Sequence, residues 1–569
     1  MSNLMRFLCA VMACMLCFCA FAEEDVTYDG IASSSISDTG EIRVYLKSLG
    51  DPAALMLTLA GEYALDNSDA MRFDRGAQLA LAADGNDIYL YVGGVTLNMG
   101  PEFTLTRCAA DDGAENGIYI YESEKNALYE GDLTVRCADG RLYSMLTIGM
   151  ENYLCGVVAY EMSDSFPLEA LKAQAVAART YAMSKKVSRA GSEYDVTDTT
   201  SDQVFKGFIG DYTNVIRAVR ETAGVVGTYN GGYATCYYTA SNGGQVATPN
   251  QVWGGDGDYG YIEQKDDPYD LENSRSLVNS FALPKAYDGE NPLWQTLVSR
   301  MAIEGHMQWR ADGIVSVEMA EPMFEGSRMY NSIVFGVQAS TRDMGLVETE
   351  FDGTGPMGWI TGHVNTDGKW FAWGMKDWEP VSEIQYVTVF VYEDIKDGLG
   401  LGLNSRDYEV ASVSDNGDYY SVEMRRFGHG TGMSQRGAQT KAGAHGFSYT
   451  EILGFYYPGM ALERIAWLDE PLPEMGELPR ALITEKMLIP PSEGDLGELG
   501  EGEYFARVTL EGEASRLNVR AEPTTESGVV AKLNNGYRLV VVREIDGGWA
   551  QVRAARFTGY VKMDYITAE

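Results

Sequence analysis

One glutamate in this chain stands where a carboxylate has a reason to do chemistry. In YLCGVVAYEMSDSFPLEALKAQAVAARTYAM, Tyr153 to Met183, residues Leu154, Val157, Val158, Glu161 and Met162 recur at i, i+3, i+4, i+7 and i+8. That spacing predicts the apolar face of a helix with one acid on it. Lost hydration disfavours the charged form, so Glu161 is expected to keep its proton to a higher pH than an exposed glutamate. A carboxylic acid held neutral is what a general acid requires. The plainer reading is a glutamate that ends a helix and points into water, as exposed glutamates commonly do.

Three further clusters carry polar groups at close spacing. In Asp198-Thr199-Thr200-Ser201-Asp202-Gln203-Val204-Phe205, Asp202 and Gln203 could bond sugar hydroxyls or equally cap the next turn. Ala234 to Val246 is a tyrosine-rich strand with Tyr238, then Ser241-Asn242-Gly243-Gly244, with Trp253 beyond it. Aromatic faces beside a polar loop suit carbohydrate, rings against rings and polar tips against hydroxyls. In Gly428-His429-Gly430-Thr431-Gly432-Met433-Ser434-Gln435-Arg436-Gly437-Ala438, the glycines would let backbone approach a ligand. There His429, Ser434 and Gln435 offer hydrogen bonds. A lone histidine is usually structural, but this one sits in a glycine-rich loop rather than on an apolar face. The phosphate-cradling GxxxxGK spacing is missing.

Strands must feed these clusters. EIRVYL, ALMLTLAGEYAL and DIYLYVGGVTL from Glu41 to about Leu105, then Ile118–Tyr121, Asp132–Arg136 and Arg141–Ile148, predict a β-rich layer leading into the Tyr153 helix. A second helix restarts after Ser163-Asp164-Ser165 with Pro167 at its first turn. Its small residues Ala175, Ala178 and Ala182 leave room for a neighbour. An amphipathic helix is expected around Val215–Ala223.

Together these motifs resemble the SpoIID/LytB family of cell-wall proteins. The YLxGVVxxEM segment followed by EALKAQAVAARTYA is present without a gap, and TSDQVFKG, the Tyr-Tyr-x-x-Ser-x-Gly-Gly pattern, GYIEQKDDPYD and GHGxGMSQxGA follow in order. The resemblance implies a lytic transglycosylase acting on peptidoglycan glycan strands stripped of peptide, with Glu161 as catalytic acid. It implies substrate contacts at Asp202, Gln203, Tyr238, Ser241, Gly243, Gly244, His429, Gly430, Gly432, Met433, Ser434 and Gln435. The muramic C6 hydroxyl would capture the oxocarbenium-like centre, so a second carboxylate is not required; Asp164 is a conceivable partner. Some relatives are described as amidase enhancers, which leaves a non-catalytic wall-binding activator of an amidase as the alternative. Some members place His and Cys ligands near the tyrosine strand. Here only Cys236 is close and no His is, so no metal is carried over, and no cofactor is implied. Arg426-Phe427 departs from the Gly-Trp that members often show.

Beyond a Pro- and Glu-Gly-rich linker over 467–503, residues 506–569 resemble a bacterial SH3-like domain in LNVRxxP, Gly-Trp and TGYV. That resemblance implies binding to wall peptide, with Leu517, Val519, Trp549 and Val561 read as core. The expected fold is an α+β catalytic domain over 40–465, β-rich at its start and carrying an insertion over about 294–395, then a small all-β SH3-like barrel.

Composition bounds the rest. With 569 residues there is room for two or more domains. Met1 to Ala22 reads as a secretory signal: Arg6, the apolar run Phe7–Phe18, and Ala20-Phe21-Ala22 for cleavage. An uncleaved anchor is the alternative, though the run is short for a bilayer. Four of the 8 cysteines fall in this segment, leaving Cys108, Cys137, Cys155 and Cys236. Three pairings of those are open, with Cys108–Cys137 plausible and buried free thiols equally so. No ligand spacing supports structural zinc. A net charge of −38 argues against nucleic acid and anionic membranes as partners and for solubility after export.

Overall fold

The computed structural model describes residues 31–65, 72–110, 114–121, 127–208, 210–276, 279–350, 364–397, 408–468, 499–500, 502–510, 516–527, 529–554 and 558–569, with isolated residues between 472 and 496. Residues 1–22, read above as a secretory signal, most of 467–503, read as a linker, and part of GPMGWITGHVNTDGKWFAWG lie outside them. Contacts divide the chain into two compact units. The first comprises 1–165, 178–233 and 462–569, the second 166–177 and 234–461, so the 40–465 stretch contributes to both.

In the first unit a seven-stranded sheet is centred on β1 (Glu41–Tyr45), β2 (Gly131–Ala138) and β3 (Arg141–Gly149). Strands β2 and β3 form a hairpin with Ala138 opposite Arg141, across Asp139-Gly140 at φ 50° and 71°. Both turn residues adopt the positive φ that a two-residue hairpin demands. Alternation is regular along both strands, and Leu133, Val135, Leu142, Leu146 and Ile148 face inward. A second seven-stranded sheet includes Ala54–Leu59, Gln78–Asp84 and Asp87–Val92.

Strand β3 runs directly into α1 (Met150–Glu161), and α2 (Leu168–Ser188) follows after a turn. Pro167 stands one position ahead of α2, its carbonyl accepting from Ala170 and Leu171 at 2.9 and 3.1 Å. The boundary between the two units falls within α2. Both helices differ from the one-sided pattern the sequence predicts. In α1, Tyr153 through Ala159 are all buried, and in α2 Ala170, Leu171, Ala173, Ala175, Val176, Ala177, Ala178 and Ala182 are fully buried. Helices buried on every side are core elements, and small side chains are what admit neighbours on every side. The amphipathic helix is α3 (Thr213–Glu221), which buries Val215, Ala218 and Val219.

The second unit holds the short helices α4 (Pro249–Trp253) and α5 (Pro268–Glu272), then α6 (Pro292–Arg300), α7 (Gln435–His445) and α8 (Tyr449–Tyr456). The stretch 294–395, read above as an insertion, shares a hydrophobic core with residues on both sides of it. Its core joins Trp294, Leu297, Ile314, Phe335 and Val389 to Leu283, Val422 and Met424. Strand Asn279–Pro284 pairs antiparallel with Tyr419–Met424, closing the subdomain on residues from both flanks.

At the C-terminus, seven strands from Tyr504 to Ala568 make one sheet whose pairings are antiparallel, around Val508, Val519, Leu539, Val552 and Val561. Cys108, Cys137, Cys155 and Cys236 are buried and form no disulfide. Among the described residues, no helix is long and apolar enough to cross a membrane.

Candidate active site

Within Tyr153–Met162, only two side chains reach the surface. Tyr160 is 54% exposed, and Glu161 is partly exposed as the last helical residue of α1. Met162 turns to extended backbone (φ −134°, ψ 142°) and is buried again. Glu161 therefore stands at the end of the helix rather than within an apolar stripe. Carboxylates stabilise helix N-termini and oppose the partial negative charge at C-termini, so helix stability gives no reason for a glutamate here. Asp164 is engaged elsewhere: its Oδ1 accepts from the Val215 N–H at 2.8 Å, capping the first turn of α3.

Asp202 and Gln203 hold the protein together. The Asp202 side chain is buried against Arg189 (2.8 Å) and accepts from the Thr197 N–H (2.9 Å). Burial works to raise this carboxyl, but Arg189 and the Thr197 donors outweigh it and hold it below the usual range. Gln203 accepts from the Tyr153 hydroxyl and donates to the Ala178 carbonyl, both at 3.2 Å, tying α1 to α2. Neither side chain presents its polar atoms outward, which corrects their reading as sugar contacts. Cap chemistry, the other reading of this turn, describes Asp202.

In the second unit the glycine-rich motifs are laced together. Tyr238 pairs with Met433 and Thr239 with Ser434 in parallel, while Ser241 pairs antiparallel with Phe427. Beneath them lies a buried polar network. Ser434 and Ser241 donate to Asp270 at 2.5 and 2.9 Å; Tyr456 and Asn242 donate to Asp267 at 2.6 and 2.9 Å. Lys441 is fully buried, 3.4 Å from Asp267, and lies over the rings of Tyr269 and Phe455. Burial pulls its ammonium down to about 8 and pushes the Asp270 carboxyl up. Asp267, Asp270 and Lys441 were not singled out from the sequence; the acidic pair of DDPYD was the available signal.

The glycines admit this close packing. A Cβ on Gly432 would lie 1.9 Å from the Tyr237 carbonyl, and one on Gly430 2.7 Å from the Arg426 side chain. Gly243 and Gly244 (φ 71° and 92°) press against Arg426 and Leu271. Gly430, Gly432, Met433, Ser434 and Gln435 are buried, as are Ser241, Gly243 and Gly244. Of the substrate contacts expected in this unit, only Tyr238 and His429 are partly exposed.

Around His429 the structure gathers a ring cluster. Trp253, 45% exposed, lies 4.7 Å from Tyr237 and 5.1 Å from His429 between ring centres; Tyr259 is 6.1 Å from Tyr237. Tyr237 rather than Tyr238 faces this cluster, since successive residues of an extended segment alternate sides. The His429 Nδ1 accepts from the Thr431 N–H at 3.1 Å, which puts the proton of the neutral ring on Nε2. Arg426 explains its departure from the expected glycine. Buried against Glu409 at 2.7 Å, it donates to the Tyr408 and His429 carbonyls and so fixes the backbone below the ring.

Residues 138–229 match the sequence profile of the stage II sporulation protein family, SpoIID. This chain carries a SpoIID domain. It also carries a bacterial SH3 domain, matched over 515–567. The SpoIID match begins in β2 and takes in α1, α2, the TSDQ turn and α3. An amidase enhancer of Bacillus subtilis (strain 168) is 31% identical over 321 residues, 54% of this chain and 40% of that protein. An uncharacterized protein of Brachyspira hyodysenteriae is 33% identical over 170 residues, 30% of this chain and 41% of its own. A stage II sporulation protein D of Bacillus subtilis (strain 168) is 26% identical over 343 residues, 58% and 78% of the two chains. The chain thus spans well under half the length of the first two relatives.

The SH3 domain has a groove of about 680 Å³ lined by Trp549, Tyr565, Asn518, Arg520, Lys562 and Asp564. The Lys562 ammonium sits 4.8 Å from the Trp549 ring centre. Leu517, Val519, Trp549 and Val561 are all buried, and Leu517 and Trp549 also line the groove.

Proposed function

We propose that this chain is an exported, wall-associated lytic transglycosylase with an α+β catalytic domain and Glu161 as its acid and base. What carries the reading is that the YLxGVVxxEM segment, Tyr153–Met162, presents one carboxylate at the surface, Glu161, while the rest of that segment save Tyr160 is core. Glu161 protonates the oxygen between N-acetylmuramic acid and N-acetylglucosamine, and the C1–O bond breaks. The C6 hydroxyl of the same muramic residue attacks C1 and returns its proton to the Glu161 carboxylate. No water is consumed, and the glutamate ends as it began. Ordinary glycosidases use a second carboxylate as nucleophile or base. Here the nucleophile belongs to the sugar, at high effective concentration.

Tyr237, Trp253 and His429 offer the stacking surface and the N–H donor that a glycan strand needs. The SH3 groove, with cationic and aromatic walls, would hold the enzyme on wall peptide. Glu161→Gln keeps the shape and removes the proton; it should abolish release of soluble fragments from peptide-stripped glycan strands with the circular dichroism spectrum unchanged. Full activity in that variant would remove Glu161 from the mechanism. A second reading is favoured by the relative named for enhancing an amidase: this chain binds wall and activates such an enzyme. In that case Glu161→Gln leaves the stimulation of a purified amidase intact.

A further inference from the structure

A cleft of about 760 Å³ opens in the first unit, on the side of α1 that carries Asn152 and Cys155, and the mechanism above makes no use of it. Its walls come from Tyr119, Phe208 and Tyr212, its carboxylates include Glu115 and Glu130, and Arg220 of α3 lines it too. The volume falls within the range of small-molecule sites.

Glu130 is the unusual member. It is more than half buried, and among the described residues no donor hydrogen-bonds its carboxylate. Glu151, which also lines the cleft, is by contrast fully engaged, accepting from Arg179, the Gly224 N–H and the Trp467 indole. Burial pushes the Glu130 carboxyl up; Arg107 and Arg220 pull it down and Glu115 raises it further. A partly buried carboxylate that opens onto a cleft is stabilised by a cation placed beside it there. A metal ion is a poor candidate, because among the described residues no three acidic, histidine or cysteine groups converge closely enough to hold one. An organic ammonium fits better. Its charge would meet Glu130 and Glu115, and its alkyl stem the rings of Tyr119, Phe208 and Tyr212. Arg220, exposed and lining the same cleft, is placed to pair with a carboxylate on the same molecule.

We infer that this cleft binds a short zwitterion, an ammonium and a carboxylate joined by an alkyl chain, as found on a free diamino acid or at the end of a peptide that terminates in one. Glu130 takes the ammonium and Arg220 the carboxylate. The site is independent of Glu161, so its failure and that of the glycan-cleaving reading are separable.

Isothermal titration of the purified chain with L-lysine, Nα-acetyl-L-lysine, Nε-acetyl-L-lysine and cadaverine tests this. Tighter binding of Nα-acetyl-lysine than of cadaverine supports the inference and identifies the peptide end as the source. Tighter binding of L-lysine than of Nα-acetyl-lysine supports it with the free amino acid as the source, whereas tightest binding of Nε-acetyl-lysine, whose ammonium and carboxylate share one carbon, would overturn it. In either supporting case Glu130→Gln and, separately, Arg220→Gln weaken binding about tenfold or more, while cleavage of glycan strands is unchanged. Cadaverine binding as well as the acetyl-lysines, affinities equal in wild type and Glu130→Gln, or no saturable binding at millimolar concentrations would each overturn it.

Discussion

Asp202 shows how a polar residue in a functional-looking motif can be wholly structural. Its carboxyl is held below the usual range, so the stabilisation it contributes is present above the unfolded pKa and is lost as the pH falls through the lower folded one. Asp202→Asn is therefore expected to be less stable than wild type at neutral pH. The gap should close in urea titrations as the pH drops below 3.8. A gap that does not change with pH would mean the Arg189 pair contributes nothing. Gln174 is the opposite case: fully buried in α2, with neither amide atom hydrogen-bonded to a described residue. Gln174→Leu should be neutral or stabilising by about 1 kcal/mol. A loss of several degrees in Tm would show that the amide has a partner after all. Glu161 was legible from the sequence as a candidate because an acid interrupts an apolar repeat. Its place at the helix end was not, because helix boundaries depend on where the chain must turn, and Met162 leaves the helix for the core. That Tyr237 and not Tyr238 joins the ring cluster of Trp253 and His429 was hidden for a related reason. Adjacent tyrosines are identical in type, and only strand parity decides which one faces the aromatic cluster.

At the scale of elements, close approach explains most of the motif. Gly156 of α1 has Phe205 against it: an added Cβ would lie 2.5 Å from that ring and 2.7 Å from the Gly207 carbonyl. Phe205 is itself fully buried and in contact with Tyr153, ring centres 5.1 Å apart, so it cannot yield. Gly156→Ala gains up to ~1 kcal/mol of helix propensity. It loses about 1–3 kcal/mol to overpacking, and the loss should prevail. A lowered urea midpoint would agree; a raised one would show that the TSDQ turn can shift. Strands and helices were legible because alternation and i, i+4 spacing are local signals: β2, β3, α1, α2 and α3 all lie within a few residues of their expected positions. The role of the glycine runs was not. Seen alone, GHGTGM and SNGG read as backbone exposed to a ligand; only the lacing of 238–241 to 427–434 reveals that they admit another strand.

For the molecule as a whole, two separate resemblances became a SpoIID domain over 138–229 and a bacterial SH3 domain over 515–567. The core that 294–395 shares with Leu283 and Val422 was hidden, because those two residues are a hundred and more positions apart and sequence cannot pair them. If wall attachment resides in the SH3 groove, then Arg520→Glu with Tyr565→Ala should weaken sedimentation with intact walls while leaving cleavage of soluble glycan strands unchanged. Both substitutions alter residues of the groove outside the buried SH3 core, and unchanged sedimentation would place attachment elsewhere on the chain. The central claim concerns bond chemistry. Its most direct test is the mass of the glycan ends produced from peptide-free strands by the wild type and by Glu161→Gln. Intramolecular capture predicts 1,6-anhydro ends, one water lighter than reducing ends, from the wild type alone. Reducing ends would contradict it, because they require water as nucleophile and a second carboxylate to activate it.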